Sequence, residues 1–574
     1  MTFLRHVIFT EILLKKTRYI KTDILIIGGG AAGCMAAIFA KKKAPHLDVM
    51  ILEKAHVRRS GCLAKGLNAV NACLVDSTPD EYLKYVKNDN FDIVRSDLIL
   101  SIGERLNRMI KLIEDLGVPM HKNDCGGYEN RSPRSILMDG EYLKPLLFEA
   151  VMSCGVKVYN RTPVYRLLKS RGGEAVTGAA GFNVRTLEPV LAEARAVLIC
   201  TGGASGIYHP SNAGLERTKT WYCPYNAGAG LAMGLRAGAE MTSFEMRFVA
   251  LRTKDVVAPT GTLVLGRNVR QCNSKGEVFL EKAKKEMGRN LNTSERLFYT
   301  VKEQKNGKGP CYIDISRLGS EEYTSLIKSY LNMSPSIILE LLGEHNNKRT
   351  SIEICGSEPY INGGHGMAGF WIDTKRRTTL KGLYAAGDVA GGAPKKYLSG
   401  CFAEAEIAID DILGRWNDLF LPAGLEIEHS SEIETLFTPI CPEKANSFSE
   451  VEERLHKIME EYAGGCTQNY ETDHDKLILA KKYLNVLSEK TNHMKAGDGH
   501  ELMRVQDTID RILLARTLLE HMDMRKETRW PCYHTRLDYP ERDDGSFRVF
   551  INSRIIDNKI SVFKRRLNDP YELI

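Results

Sequence analysis

Apolar residues run without a break at positions 24–27 (ILII) and stop at Gly28-Gly29-Gly30-Ala31-Ala32-Gly33. A helical run follows, then a second apolar stretch at 49–52 (VMIL) that ends at Glu53. Short continuous apolar runs flanking a longer helical segment predict a β-α-β unit of a covered parallel sheet. Two more buried strands are expected at 196–200 (AVLIC), ending at Thr201-Gly202-Gly203, and at 382–386 (GLYAA), ending at Gly387-Asp388. Their C-terminal ends belong at one crevice, the edge at which open α/β sheets bind ligands. Residues 226–238 (NAGAGLAMGLRAG) read as a helix suited to close packing, and residues 248–361 break the sheet pattern as a candidate insertion. From about residue 426 the composition changes. Residues 451–462, 475–487 and 507–522 carry helical apolar spacing with charged faces, and the tail at 547–563 is strand-like.

A chain of 574 residues exceeds one ordinary core, so two to four domains are expected. Apolar content of 43% and charged content of 26% are those of a globular protein. A net charge of +7 is mild over this length; it suits an anionic small molecule and does not argue for nucleic acid. No apolar run is long enough to span a membrane. The first 21 residues are apolar and basic but interrupted by Arg5, His6 and Glu11, so they read as a leading strand or arm rather than a signal peptide. The fourteen cysteines are scattered and none forms CxxC, which argues against an iron–sulfur or zinc site within the chain. Reduced thiols in a cytoplasmic protein are the simplest expectation, and no metal ligands are assigned.

The glycine segment carries the first chemistry. Gly28 permits a tight turn, Gly30 lets backbone approach a pyrophosphate, and Gly33 lets helix and strand pack closely. The helix N-terminus offers N–H groups to phosphates. Glu53, 20 residues after Gly33, is placed to accept from a ribose.

These residues, the GDVAGG segment (387–392) and the late stretch RKETRWPCYHTRLD (525–538) resemble the flavoprotein subunits of fumarate reductase and succinate dehydrogenase. Five segments resemble more closely the alpha subunit of dissimilatory adenylylsulfate (APS) reductase: residues 60–74, 220–228, 247–255, 360–371 and 387–404. The resemblance implies an α/β fold, with a Rossmann-like FAD-binding domain in two parts (22–247 and 362–420) after an N-terminal arm (1–21). An α+β capping domain (248–361) would be inserted between the parts, and a helical domain (421–574) would follow. It implies FAD bound by Gly28, Gly30, Ala32, Gly33, Glu53, Lys54, Ser60, Gly61, Asn71, Gly202, Gly203, Asp388 and Ser399. The flavin is expected to be non-covalent, because Ser60-Gly61-Cys62 stands where covalent flavoproteins of the superfamily carry Ser-His-Thr.

The resemblance further implies reduction of adenylylsulfate to AMP and sulfite, a reaction open to reversal, through attack of flavin N5 on sulfur. Arg252 and His365 are the catalytic candidates. A guanidinium offers permanent bidentate donors for developing charge, and a histidine can donate a hydrogen bond or proton near neutral pH. His365, in GGHG, is expected on an exposed loop above the flavin. Asn71, Glu141, Phe248, Leu265 and Tyr397 are the substrate-binding candidates, with Phe248 and Tyr397 as an adenine clamp. Trp221 is the candidate electron conduit to an iron–sulfur, ferredoxin-like beta subunit, which makes a heterodimer with a small anionic substrate the expected assembly. Two alternatives stay open: a fumarate reductase-type enzyme acting on a small dicarboxylate or enoate, and a flavin electron-relay subunit without turnover of its own.

Overall fold

The computed structural model describes residues 15–73, 78–132, 134–211, 220–254, 267, 269–333, 338, 350–420, 430–441 and 448–567. The predicted β-α-β unit is present as β1 (Arg18–Ile27), α1 (Ala31–Lys43) and β2 (Val49–Leu52). The last four residues of β1 and all of β2 are buried, because both sheet faces are covered. The sheet continues with β3 (Lys157–Tyr159), β4 (Val164–Lys169), β5 (Val176–Phe182), β6 (Pro189–Ile199) and β7 (Leu383–Ala385).

Its strand order is β3-β2-β1-β6-β5-β4, with β7 also paired to β6. Strand β6 runs parallel to β1 along its length. Its first half pairs antiparallel with β5 and its last three residues pair parallel with β7. The C-terminal ends of β1, β6 and β7 therefore converge, as the apolar runs at 196–200 and 382–386 predicted. Strand β1 starts at Arg18, and residues 18–22 pair with Val190–Ala194, so the end of the expected arm belongs to the sheet.

The irregular segment contains a four-stranded antiparallel sheet built from Leu251–Thr253, Ser351–Gly356, Cys311–Asp314 and Arg270–Cys272. Helices Phe279–Met287, Thr293–Glu303 and Ser320–Leu331 accompany it. Beyond β7, α2 (Tyr397–Gly414) packs on α1, and α3 (Gly499–Met524) is a long, largely buried helix. The strand-like tail forms a hairpin, Val549–Ile556 with Lys559–Arg566, which joins Met241–Thr242 in a separate sheet. All fourteen cysteines are free. No described helix is long and apolar enough to cross a membrane.

Candidate active site and cofactor cleft

The crevice at the strand ends is a cleft enclosing about 1240 Å³, counting the space open to solvent. Its walls include Gly28, Gly30, Ala32, Glu53, Lys54, Ser60, Gly61, Gly202 and Asp388. Gly28 has φ +99, and a Cβ there would lie 2.6 Å from the Cys200 carbonyl oxygen. A Cβ on Gly33 would lie 2.0 Å from the Gly28 oxygen, so the turn and the helix–strand contact both require glycine. At Gly30 the nearest atom to a Cβ is 3.8 Å away, which leaves the backbone open toward the cleft.

The N-terminus of α1 has no side-chain cap and no acid in its first turn. Its positive end is therefore free for a phosphate. Glu53, almost fully buried, accepts from Gly29 N at 2.7 Å and Ala55 N at 2.8 Å, which fixes the loop and leaves lone pairs for a ribose. The hydroxyls of Ser60 and Thr201 are buried on the cleft wall without a partner. A bare helix end, unpaired hydroxyls and a buried acid fit a dinucleotide.

The far wall is set by β7. Gly387, φ +80, turns the chain so that Asp388 faces the cleft. Tyr222 donates its hydroxyl to Asp388 Oδ2 at 2.8 Å and accepts from Gly203 N at 2.9 Å. A Cβ on Gly364 would lie 1.8 Å from Asp388 Oδ1, so the GGHG loop packs directly on this acid. Lys396 and Glu404 brace the turn from beneath. Lys396 donates to the Gly387 and Ala390 carbonyls and to Glu404, which accepts from Gly387 N.

His365 is the centre of an aromatic box. Its ring lies 4.7 Å from Trp221, 4.9 Å from Phe248 and 4.9 Å from Tyr397, centroid to centroid. The expectation of an exposed loop does not hold, because Asn362 Oδ1 accepts from the N–H groups of residues 365 and 366 and folds the loop inward. Burial pushes the imidazole down to about 4, with Asp388 opposing and Lys395 assisting. The ring is therefore neutral near pH 7 and offers a hydrogen bond rather than a positive charge. Its Nδ1 is buried and unpaired.

Arg252 is fully buried on the strand Leu251–Thr253. Its guanidinium donates to the Thr253 and Lys254 carbonyls and to Ser211 Oγ, and its Nε has no partner. It meets the box through a chain: Ser211 donates to Glu358, Glu358 accepts from the Tyr360 hydroxyl, and that hydroxyl accepts from Trp221 N at 3.0 Å. Asn71 and Ser399 are joined, Ser399 donating to both the Asn71 carbonyl (2.7 Å) and its side-chain oxygen. The ammonium of Lys54 is bound by Asp507 and the Tyr225 carbonyl. Glu141 sits where Gly66 approaches Asn332 at the end of Ser320–Leu331, with Oε2 buried and unpaired. Leu265 lies outside the described residues.

Three tyrosines of the site were not singled out from sequence: Tyr222 on Asp388, Tyr360 under Trp221 and Tyr533 against Phe248. All three lie inside segments that carried the resemblance, and that adjacency was the available signal. The stretch 525–538 is mainly structural. Arg525 is bound by Glu245, Glu527 and two carbonyls, and Arg529 by Glu527 and Asp544.

Comparison with known proteins agrees with this cleft. The FAD binding domain family matches residues 23–401. The chain is thus an FAD-dependent oxidoreductase flavoprotein. The adenylylsulfate reductase subunit alpha of Megalodesulfovibrio gigas is 28% identical, with 93% of each chain covered. The solved adenylylsulfate reductase of Archaeoglobus fulgidus superposes with a TM-score of 0.89 at 31% identity, covering 97% of both chains. A solved adenosine-5-phosphosulfate reductase in complex with sulfite, as a covalent adduct, matches with the same figures. The chain belongs to the adenylylsulfate reductase alpha-subunit family, within the fumarate reductase and succinate dehydrogenase flavoprotein superfamily.

Proposed function

We propose that this chain reduces adenylylsulfate to AMP and sulfite, with electrons from a separate iron–sulfur subunit. Sulfur takes two electrons, its bond to the bridging oxygen breaks, and AMP leaves with that oxygen. FAD, when bound, supplies the two-electron chemistry. The observation that carries the reading is the His365 box: a neutral imidazole with a buried, unpaired nitrogen, walled by Trp221, Phe248 and Tyr397 beside Asp388. Such a box suits a nucleotide with an oxyanion. The aromatic faces take the base, at about 1–3 kcal/mol per stacked base, and His365 donates to an oxygen of the leaving group. Enclosure keeps water from competing for those hydrogen bonds.

Trp221 touches His365 edge-on while remaining partly exposed. That position suits a conduit from an electron-donating partner docked over it. In this reading the iron–sulfur clusters belong to the partner, as the likeness to adenylylsulfate reductase supports. A non-covalent flavin is supported by Gly61, which presents no side chain for attachment; a Cβ there would lie 3.8 Å from Gly30 Cα.

The test is a flavin absorbance titration of the FAD-loaded chain with sulfite, then AMP and ferricyanide. Oxidant reduction that requires both sulfite and AMP is expected. His365→Asn should lower that rate by roughly 100-fold, the scale for loss of one positioned donor. Turnover of fumarate without any response to AMP would overturn the reading.

A further inference from the structure

One buried polar group beside the box has no partner. Tyr533 is 4% exposed, and its hydroxyl is buried without a hydrogen bond. Its ring lies 5.6 Å from Phe248, whose ring is also 4.9 Å from His365. Two unpaired polar atoms, the Tyr533 hydroxyl and His365 Nδ1, thus flank one aromatic ring. A buried phenol left unpaired is costly, and phenylalanine would fill the same space without that cost.

The backbone holds Tyr533 at two strained neighbours. Trp530 (φ 52) and Cys532 (φ 69) both lie in the left-handed region. Non-glycine residues persist there only where surrounding contacts over-determine them, a situation common at ligand clamps. Those contacts are present. Tyr533 N and His534 N both donate to the Trp530 carbonyl, and the Trp530 indole donates to the Asn90 carbonyl. Arg247, fully buried, donates to the Tyr533 carbonyl at 3.0 Å and to the Ala463 and Gly464 carbonyls. The ring is therefore aimed by a rigid turn rather than free to seek solvent.

We propose that Tyr533 is a substrate-positioning residue, whose hydroxyl donates to an oxyanion of the bound sulfonucleotide, so that the C-terminal region completes the site. This rests on the proposed function. Burial keeps the phenol protonated and thus a donor, and Lys395 is its leading charged neighbour, ahead of Asp89. Lys395 is itself paired with Asp89 and donates to the Tyr85 hydroxyl, so it balances the surroundings rather than donating to Tyr533. Two unpaired polar atoms beside one ring call for a hydrogen-bonding ligand, and both anionic ends of a sulfonucleotide supply acceptors for the hydroxyl.

The test compares parent and Tyr533→Phe as FAD-loaded enzymes. AMP, sulfite and inorganic sulfate are titrated at equilibrium by flavin difference absorbance, and FAD content and Tm are measured alongside. Tyr533→Phe keeps the Phe248 contact, so FAD content and Tm should hold. The dissociation constant should rise about tenfold either for AMP or for the two sulfur oxyanions, while the remaining ligand class stays within about twofold. A rise for AMP alone places the hydroxyl on the phosphate end; a rise for sulfite and sulfate places it on the sulfonate end. Unchanged constants for all three would overturn the proposal. So would a uniform weakening accompanied by FAD loss, which marks a packing role. If the parent shows no turnover with AMP and sulfite, the functional reading fails, and the AMP and sulfate titrations still judge the hydroxyl: affinity lost for either one supports it, unchanged affinity for both sinks it.

Discussion

Gly364 leaves no room for a side chain, because a methyl group there would strike Asp388, which Tyr222 and the Gly387 turn already hold in place. Gly364→Ala should displace the acid and weaken FAD binding by roughly tenfold or more, about 1.4 kcal/mol or above. The ratio of flavin to protein absorbance after desalting reads this directly, and a full complement of FAD would contradict the assignment. At this scale the sequence was legible wherever a residue's need is written into its own backbone. Gly28 and Gly33 show their purpose by spacing alone. Arg252 was different: the family resemblance named it, and its contact with a substrate stays an expectation. The structure gives its guanidinium to two carbonyls and Ser211, because a buried cation binds the nearest acceptors. His365 was found but set in the wrong environment, since the inward fold of its loop depends on the side chain of Asn362. The hydroxyl of Tyr533 could not be read at all; whether a phenol finds a partner is a fact of tertiary packing.

Among the elements, α1 has a bare N-terminus, with a glycine cap and no acid in the first turn. Most helices are stabilised by an acid there, so its absence leaves the positive end for a ligand. Ala31→Asp, at the cleft wall, should act with opposite signs on the two states. The apo chain should gain about 0.3–1 kcal/mol, seen as a higher Tm. FAD affinity should fall, because unit charges about 6 Å apart repel by about 3 kcal/mol at an effective dielectric near 20. If both quantities move together, the phosphates lie elsewhere. Element existence was well predicted from apolar spacing, and boundaries less so. The expected helix at 507–522 is the later part of α3, which begins at Gly499. Its first turns, where buried Leu502, Met503 and Val505 stand among polar residues, were missed, although Asp498 caps them by accepting from Glu501 N at 2.8 Å. The antiparallel sheet of the insertion was seen only as irregularity, since its strands are three to six residues long and far apart in sequence.

At the scale of the whole molecule, three histidines among the described residues are disfavoured as cations by burial. His365 and His456 are pushed down to about 4 and His534 to about 3. The unfolded chain titrates these groups near 6.5, so between about 6.5 and 4 it binds more protons than the folded chain. Stability is therefore complete above about pH 6.5 and is lost as pH falls through that window. Each histidine contributes at most about 1.4 kcal/mol per pH unit. Scanning calorimetry from pH 7.5 to 5 should show Tm falling below pH 6.5, and His456→Gln, remote from the aromatic box, should flatten the slope. A Tm independent of pH across that range would contradict the burial of these rings.

Strand β6 joins parts of the chain made at very different times. It takes β1 on one side and β7 on the other, and the cleft needs Gly28 from one and Asp388 after the other. At ribosomal rates of ~5–20 residues per second, the second wall emerges about 20–70 s after the first. Lys54 waits longer still for Asp507. The growing polypeptide thus exposes an unfinished parallel edge through most of its synthesis, and the cofactor cannot template that edge until the insertion has already been translated. A complete flavin cleft is therefore expected only after Asp388 has emerged, late in synthesis, with the β7 side of β6 waiting unpaired until then.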